Sequence, residues 1–567
     1  MSVVLSEHLP LLASAPGGIQ KLRGLILELA VRGKLVPQDP NDEPASELLK
    51  RIAKERARLE AKGIFKKSKA TQVSDAERPF DSPEGWVWVR LTHFGEFRGG
   101  KTPSTNHSEY WGGSIPWVSP KDMKSLLVSQ TEDYVTDLAI SDGLTVIPES
   151  SVLIVVRSGI LRRTVPVAIS GLQCTVNQDL KALCLVRPNM APYVQLLIRG
   201  FERLILETLT KVGTTVESIK FEEFSKQPFP LPPLAEQHRI VAKVDELMAL
   251  CDRLEAKVGA GETAHAKLVD TLLGTLTQST DAADLATNWQ RLAEHFDALF
   301  TTEPSLDALK QTILQLAVMG KLVPQDPNDE PASELLKRIA KERARLEADG
   351  KIKKSKPVPP VTENESPFKV SRGWEWVLLD AVAEKITDGE HISPSKAKSG
   401  MLLLTAKHVL ESGVSFDDPQ FVAKEDGVRF RQRCDPSIGD VLICSRGTIG
   451  RCCVVTNAIT FCLMGSVILV RSLPLLVPSY LNFFLKSNVG QNFIRGATKG
   501  MAVNALYLKD IRQCAVPLPP LAEQHRIVAK VDELMALCDR LKSDLTESRT
   551  RQDRLATTLI DSALKAA

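Results

Sequence analysis

"PLPPLAEQHRIVAKVDELMALCDRL" occupies Pro230–Leu254, and the same letters return at Pro517–Leu541. A second block, "GKLVPQDPNDEPASELLKRIAKERARLEA", stands at Gly33–Ala61 and again at Gly320–Ala348. Both pairs are separated by 287 positions, so the chain is two half-molecules. A period this long exceeds the roughly 20–50 residues of a solenoid repeat and reads as a tandem of domains. Between the paired blocks, 62–229 and 349–516 share only scattered points. These include "GWVWVRL" against "GWEWVLL", "VLIVVRSG" against "VLICSRGT", and a [TS]-P-S triplet at Thr102–Ser104 and Ser393–Ser395. Such remnants predict one fold carrying two different surfaces.

The repeated blocks read as helices. Pro44 stands where a first helical turn tolerates proline, and Leu48, Ile52 and Leu59 follow as one apolar stripe. Ile240, Val244, Leu247, Cys251, Leu254 and Val258 alternate four and three apart, as do Ile527, Val531, Leu534, Cys538, Leu541 and Leu545. That is a coiled-coil a/d seam. The first such helix, starting after Pro233 and reaching about Thr277, would run roughly 65 Å at 1.5 Å per residue. The two seams are expected to pair with each other, antiparallel, which sets the variable segments at opposite ends. A pair of core helices in a bundle is the plainer alternative. The variable segments carry short runs such as "SIPWVSP", "SVLIVVRS", "LLLTAKHV" and "DVLICSRGTIG", broken by turn formers, beside helical "YVQLLIRGFERLILETL". The fold class is therefore α+β: two α/β domains separated by long, antiparallel coiled-coil helices from duplicated repeats. The expected divisions are 1–79 helical repeat, 80–233 first variable domain, 234–364 central helical region, 365–520 second variable domain and 521–567 C-terminal coiled-coil helix.

At 567 residues, with 43% hydrophobic and 25% charged residues, the composition is that of a globular, several-domain protein. No run reaches the 18 or so apolar residues of a membrane span, and the start lacks a basic secretory signal, so a cytoplasmic protein is expected. Ten cysteines without a C-x2-C pair read as reduced, buried thiols and no metal site. Net charge is only +3, but 47–69 carries nine Lys/Arg against three Glu, and 334–356 nine against four acids. Each basic stretch is either a solvated helix face or a phosphate-facing end. "GEFRGGKTPSTN", Gly95–Asn106, matches the P-loop pattern G-x-x-x-x-G-K-[ST]. A P-loop needs a helix opening at its Lys-Thr pair. Pro103 and the polar run behind it make that helix improbable.

The order of variable domain, "PLPPLAEQHRIVAKVDELM", "GKLVPQDPNDEPASELL", second variable domain and a further "PLPPLAEQHRIVAKVDELM" resembles the specificity subunit of Type I restriction-modification systems over essentially the whole chain. "GGKTPSTNHSEYWGGSIPWVSPKDMK" is similar to the opening of one common type of target-recognition domain, and "ITDGEHISPSKAKSGMLLLTAKHV" to another. The resemblance implies two target-recognition domains, each reading one half of a bipartite double-stranded DNA target. It implies repeats that hold two methyltransferase subunits and set the gap between half-sites, with two motor-nuclease subunits in the full complex. It further implies that the chain is non-catalytic and carries no cofactor. S-adenosylmethionine for adenine-N6 methylation, and ATP and Mg for cleavage, belong to the partners. No N-P-P-[YF] or D-P-P-Y tetrapeptide occurs in the sequence, in keeping with that. Identical repeats flank both domains, including an N-terminal copy, and this leaves the family subtype open.

Lysine and arginine suit phosphate or guanine, and hydroxyls suit phosphate or base edges. On that chemistry the DNA-binding candidates of the first domain are Lys101, Thr102, Ser104, Ser119, Lys121, Arg157, Lys211, Thr214 and Thr215. Those of the second are His391, Ser393, Ser395, Thr405, Lys407, Arg446, Thr448 and Lys499. An ordinary surface role is the competing reading for each, and Trp86, Trp117 and Trp374 read as core. Two rival functions remain at this stage: a coiled-coil protein adaptor without DNA reading, and an enzyme, either a P-loop ATPase or a fused methyltransferase.

Overall fold

The structure, a computed structural model, describes residues 9–67, 71–213, 216–280, 282–352, 358–362, 366–392, 394–395, 397–498 and 504–566. It divides into two compact units, Met1–Gly261 with Arg549–Ala567, and Glu262–Ser548. Two long helices, Leu234–Gln278 and Leu521–Ala566, each contribute to both units. The unit boundary falls after Gly261 in one and after Ser548 in the other, again 287 positions apart.

In the first unit, Gly18–Val31 lays Leu22, Leu25, Ile26 and Leu29 against Ile240, Val244, Leu247 and Cys251, all buried. Arg23 pairs with Asp252 and Glu255 while Gln38 reaches Glu236, so the short helix runs against the long one. Lys21 meets Asp553, and Glu28 and Arg32 share a hollow with Asp561 and Lys565, so the tail of the second long helix runs with the short helix. The two long helices are therefore antiparallel here. The second unit repeats the scheme. Glu303–Val318 packs Leu309, Ile313 and Leu316 with Ile527, Val531 and Cys538. Lys310 pairs with Asp539, and Lys321 donates to the carbonyls of Thr277 and Ser279.

One expectation is corrected. The two seams do not meet each other: each is buried in the core of its own unit, beside the short helix and the far end of the other long helix, Ala556 and Ile560 in the first unit and Val269, Leu273 and Leu276 in the second. Leu254 lies at the margin of the first core, Leu534, Leu541 and Leu545 at that of the second, and Val258 is 37% exposed. A four-three alternation specifies an apolar stripe but not the surface that covers it. Pro44 is also one place earlier than expected, at the N-cap of Ala45–Ala61.

Each sheet domain is anchored to its helices by the same bonds. Val87–Arg90 pairs antiparallel with Pro228–Leu231, and Glu375–Leu378 with Ala515–Leu518. The prolines are tolerated because these ladders have only two strands. The indole of Trp86 donates to the buried Glu236 at 2.9 Å, and that of Trp374 to Glu523 at 2.9 Å. Tyr193 and Tyr480 donate to the carbonyls of Pro230 and Pro517. Arg239 and Arg526 clamp Asp42 and Asp329 in the repeated loops. Gly33 and Gly320 take φ +70° where those loops turn, and a Cβ on Gly33 would meet Pro83 and Trp86. "PLAEQ" is thus a joint, with its Glu and Gln buried to hold the strand exit and the loop. Sequence agreement also reaches further than the repeat blocks: "LSEH" at Leu5–His8 answers "LAEH" at Leu292–His295, at the same spacing.

The two inserts share one topology. In the first domain Gly95–Gly99, Leu180–Leu185, Val152–Val155 and Val167–Ser170 lie side by side antiparallel. Beside them Trp111–Val118 pairs antiparallel with Asp133–Val135 and parallel with Thr175–Val176. The second domain repeats this order with Ala383–Asp388, Val467–Ser472, Val441–Cys444 and Cys452–Val454, and with Met401–Leu404 between Gln420–Val422 and Phe461–Leu463. "VLIV" and "VLIC" are the fully buried strands. All ten cysteines are free and buried, which suits an apolar role.

Candidate nucleic-acid interface

At one edge of each domain a loop, a turn and an arginine converge on the end of that buried strand. In the first domain the loop is Gly100–Ser104. Gly100 packs so closely on the next strand that a Cβ would lie 1.8 Å from the carbonyl oxygen of Val176, and the Lys101 amide donates to that same oxygen at 3.1 Å. The indoles of Trp117 and Trp111 donate to the carbonyls of Lys101 and Ser104. The glycine serves strand contact, the amide is spent, and no helix opens at Lys101–Thr102, so phosphate cannot be cradled there in the P-loop manner. Lys101 and Ser104 are exposed, and the Thr102 hydroxyl donates to Gln178 of the adjoining turn. The next residue of that turn, Asp179, is held by Asn177 and lies 3.6 Å from Nε of Arg157. Arg157 bridges to Ser218, which pairs with Lys211 across a short ladder. The structure thus gathers Lys101, Thr102, Arg157 and Lys211 at one edge.

The second domain builds the same edge from different residues. Gly389 takes the place of Gly100, with a Cβ falling 2.2 Å from the Leu463 carbonyl, and the Glu390 amide donates to that oxygen at 2.8 Å. Glu390 therefore stands where Lys101 stands, and His391 where Thr102 stands. The [TS]-P-S triplets are not equivalent, because the anchoring glycine and not the proline sets the register. Glu390 folds back to accept the amides of Ile392 and, second, His391, which lowers its pKa. His391 packs on Gly465, where the first domain has Gln178, and its Nε2 lies 2.8 Å from Asp388. Arg446 follows the buried strand as Arg157 does, and Leu506 bonds to Ser445 as Ile219 bonds to Val156.

Other candidates lie away from this edge or face inward. Ser119 is 5% exposed and its hydroxyl donates to Asp122, capping a short helical turn. Thr405 does the same through its amide to His408. Lys121 pairs with Asp133 and Glu132, which raises its pKa, and Lys407 pairs with Asp418. Thr448 and Ser395 are exposed. Thr214, Thr215, Ser393 and Lys499 lie outside the described residues. Sequence reasoning missed Gln178, Tyr507 and Lys509, which line these edges. Their signal was absent because the strands that deliver them are far apart in the chain.

A duplicated helical frame that presents one fold twice, with unlike residues at one edge, defines a two-headed recognition protein. The model of the Type I restriction modification DNA specificity domain matches residues 83–260 and again 372–548. The specificity subunits of the Type I restriction enzymes EcoAI and EcoEI of Escherichia coli are 38% and 36% identical to this chain, each match covering 96% of it and 94% of the relative. The chain belongs to the Type I restriction-modification specificity subunits. A solved HsdS subunit from Thermoanaerobacter tengcongensis aligns over 86% of this chain and 99% of its own at 20% identity and a TM-score of 0.37, a similarity too loose to add to the sequence match. Among the described residues no helix is long and apolar enough to cross a membrane.

Proposed function

We propose that each sheet domain reads one half of a bipartite duplex DNA target through its loop–turn–arginine edge, and that the repeated helices and loops seat two copies of one methyltransferase subunit. The observation that carries this is the pairing of a near-invariant frame with exchanged edge residues: Lys101 against Glu390, Thr102 against His391, Gln178 against Gly465. Equal frames bind equal partners, and unlike edges bind unlike sequences. The arginine kept at both edges suits a base edge or phosphate. In this reading the chain selects and its partners react. S-adenosylmethionine is used by the methyltransferases, and ATP and Mg by two motor-nuclease subunits. The assembly works on DNA in the cytoplasm. The long helices, continuous through both units, set the gap between half-sites.

The test exchanges residues 80–229 for the first domain of another family member, in complex with the methyltransferase, and maps methylated adenines. One half of the target should change while the other half and the gap stay. A change in both halves would refute independent reading.

A further inference from the structure

We infer that Arg446 reads a guanine in the half-site of the second domain, and that this arginine sets the selectivity of that domain at one base position. The inference rests on the proposed DNA reading and adds to it a residue, a base and a mode of contact.

The two edge arginines differ in what holds them. Arg157 has Asp179 3.6 Å away, a carboxylate itself fixed by Asn177. The turn facing Arg446 is Met464–Gly465–Ser466, without a carboxylate. Asp388, the carboxylate nearby, is occupied by Arg433 and His391. Among the described residues Arg446 has no ion pair. Its backbone is nonetheless firmly placed, since Val441–Cys444 is fully buried and Ser445, itself buried, bonds to Ser466, Gly465 and Leu506. The rigid strand end fixes where the side chain leaves the backbone, and the exposed guanidinium, without an ion pair of its own, is left for a ligand.

Around it lies a cleft of about 420 Å³, walled by Asp388, His391, Tyr507 and Lys509. Tyr507 is 46% exposed, and a half-exposed tyrosine beside a cation gives a flat wall and a hydroxyl to a nucleotide edge. The guanidinium fork matches O6 and N7 of guanine in the major groove with two bonds, where adenine offers an amino group against it. A phosphate contact would need only charge and would not need the fork.

The experiment maps methylation by the assembled complex carrying Arg446→Ala, Arg446→Gln or Arg446→Lys. The 80–229 exchange identifies the half-site of the second domain as the half it leaves unchanged. That half should contain a guanine, and Arg446→Ala and Arg446→Gln should relax one guanine position roughly tenfold or more, with all other positions kept. Arg446→Lys, which keeps charge but loses the fork, should restore methylation rate more than selectivity, and it serves if the other variants fail to assemble. The inference is overturned by a half-site without guanine, by an unchanged motif in Arg446→Ala and Arg446→Gln, or by uniform weakening across all sequences. A wild-type methylome without a bipartite motif would instead refute the proposed function itself.

Discussion

At the scale of single residues, the same chemistry recurs in both halves wherever the frame needs it. Glu236 and Glu523 are buried at the start of the long helices, and burial holds both carboxyls above the ordinary value of 4.5 although each accepts an indole hydrogen bond. A folded-state value above the unfolded one stabilises the fold fully below the unfolded value, and that contribution is lost as pH rises through the raised value. Glutamine keeps an acceptor for the indole and has no such loss. The double variant Glu236→Gln/Glu523→Gln should therefore gain melting temperature over wild type between pH 5 and pH 8. Equal differences at both pH values in thermal melts would contradict this. Lys101 carries the other residue-scale prediction. With its amide spent on Val176 and no helix behind it, the isolated chain should show no specific ATP binding, and Lys101→Ala should weaken DNA binding while leaving ATP hydrolysis by the complex to the motor subunits. Saturable ATP binding by this chain, abolished in that variant, would return the P-loop reading.

At the scale of elements, the long helices act as two half-helices each, covered locally. Ile240 and Ile527 occupy equivalent buried positions in different units. Ile240→Ala and Ile527→Ala should each cost about 2–5 kcal/mol, the range for deleting a buried isoleucine to alanine. Limited proteolysis should find new cleavage confined to the unit that carries the change. Cleavage spread equally through both units would mean that the seams share one core after all. The stripe was legible in the sequence because burial repeats with helical period. Its covering partner was not, because Leu22, Leu25 and Leu29 lie more than 200 positions upstream of it and could not be matched by pattern alone.

At the scale of the whole molecule, the unit boundary after Gly261 and after Ser548 offers a place to lengthen both helices without entering either core. Inserting seven residues at each point preserves the apolar stripes and adds roughly 10 Å of helix at 1.5 Å per residue. At about 3.4 Å per base pair, the preferred gap between half-sites should grow by up to about three base pairs. Methylation of a plasmid library with graded gaps reads this directly. An unchanged preference in an assembled, active variant would show that the helices do not set the gap. Inserting four residues in one helix alone should instead rotate one stripe away from its cover and lower partner binding.

By itself the sequence determined the duplication, both long helices to within a residue or two, the strands "VLIV" and "VLIC" and the family, because each is written in contiguous letters or in a short period. Tertiary structure alone decided which surface covers each seam, why Gly100 and Gly389 are glycines, and that His391 occupies the place of Thr102. Those facts depend on backbones that touch across scores of positions, where a Cβ either fits or collides. The same is true of the edge that gathers Lys101, Arg157 and Lys211, since three separate strands must pair before those side chains become neighbours.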